Sequence, residues 1–301
     1  MAITFSSLSR GNPRGILSML GAMLLFVIND TLIKLTSDHL SFAQAVFVRG
    51  LITTALAIML VLTQGHAKQI RWLLRPKALL RSSADLGATA CYVLALFHMP
   101  LANLTSINMA TPLLMTAVAA LVLREQVGWR RWSAIIVGFC GVVLIVQPTS
   151  TGFNAWSLLA LGCMGCVILR DFTTRFIGAE LPTPVLVLGS CLLITLTTGI
   201  LMLFEGWPAM DGRILLLLSC SACCLIGGYM LAVDCMRHGE LSVTSPFRYT
   251  ALVWSLMFGY LVWNDIPNAL ASIGIAIVLA SGLYLLHRER MRMRAAGLES
   301  A

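Results

Sequence analysis

Residues 15–35 read GILSMLGAMLLFVINDTLIKL, and residues 156–177 read WSLLALGCMGCVILRDFTTRFI. As a helix the first run is about 31 Å long, enough to cross a hydrocarbon core of about 30 Å. The second run repeats its order. Leu20-Gly21-x-Met23 returns as Leu161-Gly162-x-Met164, Asp30 as Asp171 and Lys34 as Arg175, each 141 residues on. A second window, Tyr92-Val93-Leu94-Ala95 with Met99, returns as Tyr229-Met230-Leu231-Ala232 with Met236 at an offset of 137. Arg124-Glu125 then aligns with Asn264-Asp265, and Gly141 with Gly282. Each match is weak alone, but together they keep their order across the chain.

Composition agrees with a chain immersed in lipid. Of 301 residues 58% are hydrophobic and 11% charged, and the mean hydropathy is +0.87. A soluble domain carries about 25% charged residues, so an ordinary soluble enzyme, a disordered chain and a fibrous repeat are excluded. The hydropathy pattern predicts ten helices, at about 15–35, 42–63, 84–99, 103–122, 132–147, 156–177, 184–204, 214–236, 243–263 and 268–287. The third is short. The first follows Arg10 and Arg14 but is too long for a signal peptide and lacks a small-residue cleavage site.

The net charge is +8. Its cations sit in short clusters between apolar runs, which reads as membrane orientation rather than a nucleic-acid surface. With both termini cytoplasmic, 16 of the 21 basic residues fall inside, among them Lys68, Arg71, Arg75, Lys77 and Arg81. Only Lys34 and Arg213 fall outside, and Arg49, Arg170 and Arg248 lie within spans. All nine cysteines fall in apolar segments. Cys163-x-x-Cys166 and Cys220-x-x-Cys223 have no neighbouring histidine and read as packing residues rather than zinc or redox sites.

Five spans per half is an odd number, so the second half must insert upside down relative to the first. The expected fold is an all-α polytopic membrane protein, ten transmembrane helices as two inverted five-helix repeats over 1–148 and 149–301. Inverted repeats with charges inside spans are a transporter device, because the halves can exchange conformations around a midplane site.

The residues then resemble a known family. Val46-Phe47-Val48-Arg49-Gly50 places an arginine early in the second helix. Ala102-Asn103-Leu104-Thr105-Ser106, Pro112 and Arg124-Glu125 give the fourth helix a small-polar stretch, a proline and an acidic end, and Gly138 and Gly141 follow in the fifth. This order is similar to the EamA family of the drug/metabolite transporter superfamily, and within it to bacterial YddG-type amino-acid exporters. The second half departs from the pattern, with Asp265 where glutamate is usual and Ser245-Pro246-Phe247-Arg248-Tyr249 in the ninth helix. The resemblance implies metabolite transport without naming the substrate.

Arg49 lies about 10 Å into its helix, and its repeat mate is Leu188. It either faces a water-filled cavity and grips a carboxylate, or snorkels to headgroups or pairs with Asp30. Arg248 has the same readings beside Pro246, which frees a backbone carbonyl one turn back. Asp30 with Lys34, and Asp171 with Arg175, are i, i+4 pairs at opposite membrane surfaces. They read as gates or as neutralised helix ends. Asp85 and Asp234 read as solvated. Tyr92 and Tyr229 are repeat mates; Asn108, Thr111 and Met115 share a helix face; with Tyr249 and Trp254 they form the expected substrate-binding set, interhelical packing being the alternative.

No Walker loop, dinucleotide-binding glycine fingerprint, HExxH or Gly-x-Ser-x-Gly is present. No cofactor, metal or nucleic acid is expected, only a small molecule and the lipid bilayer of a bacterial inner membrane. The expected function is alternating-access export of aromatic and other neutral amino acids. Uptake or exchange of a nucleoside-like metabolite such as S-adenosylmethionine is the alternative, and a membrane-embedded enzyme is the rival from another class. All five histidines fall at helix ends or in loops, against the enzyme.

Overall fold

A computed structural model of the chain describes residues 8–122, 128–147, 155–177, 181–205, 207, 210–238 and 241–295. The helices are α1 (Leu8–Lys34), α2 (Phe42–Thr63), α3 (Pro76–His98), α4 (Leu101–Asn108), α5 (Thr111–Val122), α6 (Trp129–Val146), α7 (Ala155–Ile177), α8 (Thr183–Glu205), α9 (Gly212–His238), α10 (Leu241–Thr244), α11 (Thr250–Trp263) and α12 (Ala269–Ala295). Short 3-10 helices cover Ala67–Leu74 and Ser245–Tyr249. No strand occurs among the described residues. Among the described residues, eight helical segments are long and apolar enough to cross a membrane. The chain is a multi-pass membrane protein.

Three expected helices take a different form. The third is 23 residues rather than short, because it starts at Pro76, where a proline costs no helical donor. Hydropathy hides that first half under Lys77, Arg81 and Asp85, yet a helix needs backbone hydrogen bonds, not apolar side chains. The fourth breaks into α4 and α5. Pro112 has no N–H to offer the Asn108 carbonyl one turn back, and the hydroxyl of Thr111 donates to that oxygen instead, at 2.6 Å. The ninth breaks likewise around Pro246, giving the 3-10 turn at Ser245–Tyr249. The Arg124-Glu125 motif lies outside the described residues.

The chain clusters into two units, each drawn from both halves of the sequence. One comprises residues 28–99 and 156–227, the other residues 1–27, 100–155 and 228–301. We call them the inner-loop unit, after its 64–75 connection, and the terminal unit.

In the inner-loop unit α2 packs on α8. A methyl group at Gly50 would fall 2.5 Å from Thr195 Oγ1, and the hydroxyls of Thr54 and Thr195 share a hydrogen bond of 3.1 Å. Small residues let these backbones approach closely. A cluster of Ala57, Val61, Ala78, Ile177, Leu181, Val185, Leu186 and Leu188 fills the space between α2, α3, α7 and α8.

In the terminal unit α6 packs on α12, backbone against backbone. A methyl group at Gly141 would fall 2.9 Å from the Gly274 carbonyl oxygen, and one at Gly274 2.6 Å from that of Gly141. Past this crossing the side-chain amides of Gln147 and Asn268 bond reciprocally, at 2.7 and 3.1 Å. Asn268 also caps α12 by accepting from the Ala271 amide at 2.8 Å. Gly282 lies against the Tyr249 hydroxyl, which occupies the space a side chain would fill. Asp234, expected to be solvated, instead accepts from Arg14 Nη2 and from the Ser18 hydroxyl, both at 2.7 Å, and ties α1 to α9.

Candidate substrate site

Polar side chains in a membrane-spanning bundle are costly unless they meet each other, water or a ligand. The inner-loop unit holds two groups of them, one near each end.

The first group lies where α1 ends and α2 begins, with Asn29 at its centre. Residues 29 and 30 are about 100° apart around a helix, so their side chains reach different neighbours. Asn29 Oδ1 accepts from Arg49 Nη1 of α2 at 3.3 Å and from the Ser221 hydroxyl of α9 at 2.7 Å. Its Nδ2 donates to Asp30 Oδ1 at 2.9 Å. Asp30 Oδ2 accepts from the Tyr92 hydroxyl of α3 at 2.6 Å. Arg49 and Asp30 interact electrostatically. Arg49 is 7% exposed. It is buried and hydrogen-bonded, so it does not snorkel. The group thus offers a guanidinium, a carboxylate, an amide and two hydroxyls in one place.

Lys34 is also buried, and its ammonium donates to the Met99 carbonyl at 2.6 Å. Met99 is the C-cap of α3, where helix carbonyls lack partners and favour a cation.

The second group lies nearer the other end of the same unit. Arg81 of α3 is buried; its Nη1 donates to the Leu186 carbonyl and to the Ser190 hydroxyl, both at 2.8 Å, and its Nε to Thr174 Oγ1 at 3.1 Å. Asp85, expected to be solvated, is 19% exposed and meets Arg170 Nη1 at 3.1 Å and Arg81 Nη1 at 3.9 Å. The carboxylate of Asp171 is met by Arg170 Nε at 2.9 Å, while Arg175 is exposed. Repeat offsets relate the two groups, since Asn29 and Asp30 map onto Arg170 and Asp171.

Of the expected substrate set, Arg49 and Tyr92 thus fall in the first group together with Asp30. The others lie in the terminal unit. Thr111 and Asn108 form the break between α4 and α5, and the Thr111 hydroxyl lies 3.3 Å from Asn108 Oδ1. Tyr249 is buried, Tyr229 and Trp254 are half-buried, and Arg248 is exposed on its 3-10 turn. Trp254 Nε1, Asn103 Oδ1 and Thr105 Oγ1 are buried and find no hydrogen-bond partner among the described residues. Buried polar atoms are normally satisfied, so these three are suited to water or a polar ligand. The expected set omitted Asn29, Ser221, Arg81 and Thr105.

Among the described residues no group of three or more His, Cys, Asp and Glu side chains is placed to hold a metal ion.

Comparison with known proteins gives a consistent picture. Residues 13–147 match the model of the EamA-like transporter family. An S-adenosylmethionine uptake transporter of Rickettsia prowazekii is 24% identical over 88% of this chain and 90% of its own. A pseudopaline exporter of Pseudomonas aeruginosa is 24% identical over 90% and 95%. A riboflavin transporter of Vibrio cholerae is 26% identical over 93% and 95%. A crystal structure superposes over 90% of this chain and 96% of its own with a TM-score of 0.61 at 19% identity, which shows a shared fold.

Proposed function

We propose that this chain is a membrane transporter of the EamA type, the family whose model its residues 13–147 match, and that its cargo carries an α-amino-carboxylate group. Export of aromatic and other neutral amino acids is the leading case. The observation that carries the reading is the Asn29-centred group. A zwitterionic headgroup presents one carboxylate and one ammonium, and Arg49 and Asp30 are their complements, braced by Asn29, Ser221 and Tyr92. Asn108, Thr111, Tyr229, Arg248, Tyr249 and Trp254 of the terminal unit are proposed as further substrate-binding residues.

S-adenosylmethionine is the second reading, favoured by the name of the Rickettsia prowazekii relative. It carries the same headgroup on a larger, cationic body. In both readings the chain works by alternating access with ten spans in two inverted repeats, 1–148 and 149–301. Asp30, Lys34, Asp171 and Arg175 then act as gates.

Counterflow tests the cargo. Proteoliposomes loaded with unlabelled phenylalanine, leucine or S-adenosylmethionine should accumulate the labelled form of the same compound above protein-free vesicles. Accumulation of none of the three would overturn the reading.

Topology is tested separately. The basic bias places residues 64–82 and the C-terminus in the cytoplasm of a bacterial inner membrane. Single cysteines at positions 68 and 295, in a cysteine-free background, should resist an impermeant thiol reagent in intact spheroplasts and react after lysis. Reaction at either position before lysis would reverse the orientation.

A further inference from the structure

The connection between α2 and α3 is a folded strap rather than an open loop. Its 3-10 helix, Ala67–Leu74, runs directly into α3 at Pro76. Ile70, Trp72 and Leu73 turn inward and pack on the Ala57–Leu188 cluster. Leu73 reaches α8 itself, since a methyl group at Gly189 would fall 2.8 Å from Leu73 Cδ2.

The opposite face is basic. Lys68, Arg71, Arg75 and Lys77 are all exposed, and Arg75 lies over the Trp72 ring at 4.5 Å. No acidic residue occurs between Asp38 and Asp85, so the sequence supplies no local counter-charge. Beside the cations stand exposed Leu74, 78%, and half-exposed Leu79 and Leu80, at 43% and 49%. Cations interleaved with outward leucines fit an anionic surface that has an apolar layer beneath it. A soluble polyanion would use the charges and leave the leucines in water.

We propose that the strap, residues 67–80, is a docking surface for the headgroups of anionic phospholipids. The cations meet the phosphates while Leu74, Leu79 and Leu80 enter the acyl boundary. The strap also bears on the second polar group. Leu73 packs on Gly189, whose neighbour Ser190 binds Arg81, and Gly189 is also approached by Ser82, next to Arg81 on α3. Lipid that steadies the strap therefore steadies the α3–α8 contact.

Hydrogen exchange on the intact protein in nanodiscs tests this without any transport substrate. In discs containing phosphatidylglycerol, amides of 67–80 should exchange about fivefold more slowly than in pure phosphatidylcholine, with the apolar stretch 269–286 of α12 unchanged as an internal reference. The variant Lys68→Gln/Arg71→Gln/Arg75→Gln/Lys77→Gln should show no such difference. In the wild type, salt at about 0.5 M, where the Debye length is about 4 Å, should abolish most of it. Equal exchange of the wild type in both lipids overturns the proposal. So does a slowing that survives high salt, or one that the glutamine variant shares.

Discussion

Arg49→Leu is expected to abolish transport and to destabilise the protein, and the two losses should separate. Leucine is what the repeat places at the equivalent position, Leu188, so the helix itself accepts it. The damage lies in what is left behind. Asp30 loses the cation it faces, and Asn29 Oδ1 loses one of its two donors. Removing one partner of a buried charge pair costs about 3–5 kcal/mol. The lower end applies here, because Asp30 keeps Tyr92 and Asn29. Adding Asp30→Asn removes the stranded charge, so the double variant should recover most of the melting temperature in detergent. Counterflow should stay absent, since nothing then reads the carboxylate of the cargo. Arg49→Lys should fold and bind at least about tenfold more weakly, the equivalent of about 1.4 kcal/mol, because an ammonium lacks the planar fork. Transport by the double variant at the wild-type rate would show that Arg49 serves only to neutralise Asp30.

Gly274→Val should yield little folded protein. The first atom of any side chain at Gly274 falls 2.6 Å from the Gly141 carbonyl oxygen, 2.8 Å from Ile145 Cγ1 and 3.1 Å from the Ile145 amide nitrogen. Two of these are backbone atoms, so no rotamer change relieves the overlap and the helices must part. Overpacking of this kind costs about 1–3 kcal/mol for a modest insertion, and more when backbone must shift. Gly274→Ala should lie within that range, and valine beyond it. Gly165 on α7 is the control: nothing lies within 4 Å of the position. Gly165→Ala should be neutral or stabilising by up to about 1 kcal/mol, through helix propensity alone. Size-exclusion profiles after heating would rank the three variants. An alanine at 274 that melts with the wild type would mean the α6–α12 crossing is looser than described.

Spans were legible in the sequence because lipid exposure writes itself into long apolar runs. The breaks were not. Pro112 and Pro246 were visible, but a proline can kink a helix or end it, and the outcome depends on whether a neighbour such as the Thr111 hydroxyl takes up the freed carbonyl. Arg49, Asp30 and Tyr92 stood out as polar residues in apolar stretches, and they do share one group. Asn29 and Ser221 did not stand out, since amides and hydroxyls inside helices are common and only the packing of α1 beside α9 reveals their bond. Arg81 reads as a loop cation in the sequence, because the hydropathy begins α3 too late. Its i, i+4 partner Asp85 is the signal in the sequence that both belong to a helix.

The interlacing of the inner-loop unit has a consequence for biosynthesis. Its first stretch ends at residue 99 and its second begins at 156 and ends at 227. A ribosome making about 5–20 residues per second needs about 6–25 seconds to cover that gap and complete the unit. During this interval Arg81 is already made, with Asp85 beside it, while its hydrogen-bond partners Thr174, Leu186 and Ser190 have yet to be translated. Arg49 has Asn29 from the start, because both belong to the first stretch, but Ser221 joins them near its end. The nascent chain must therefore leave Arg81 with Asp85 as its one available partner for several seconds, and a translational pause between residues 99 and 174 would prolong its exposure to quality-control proteases.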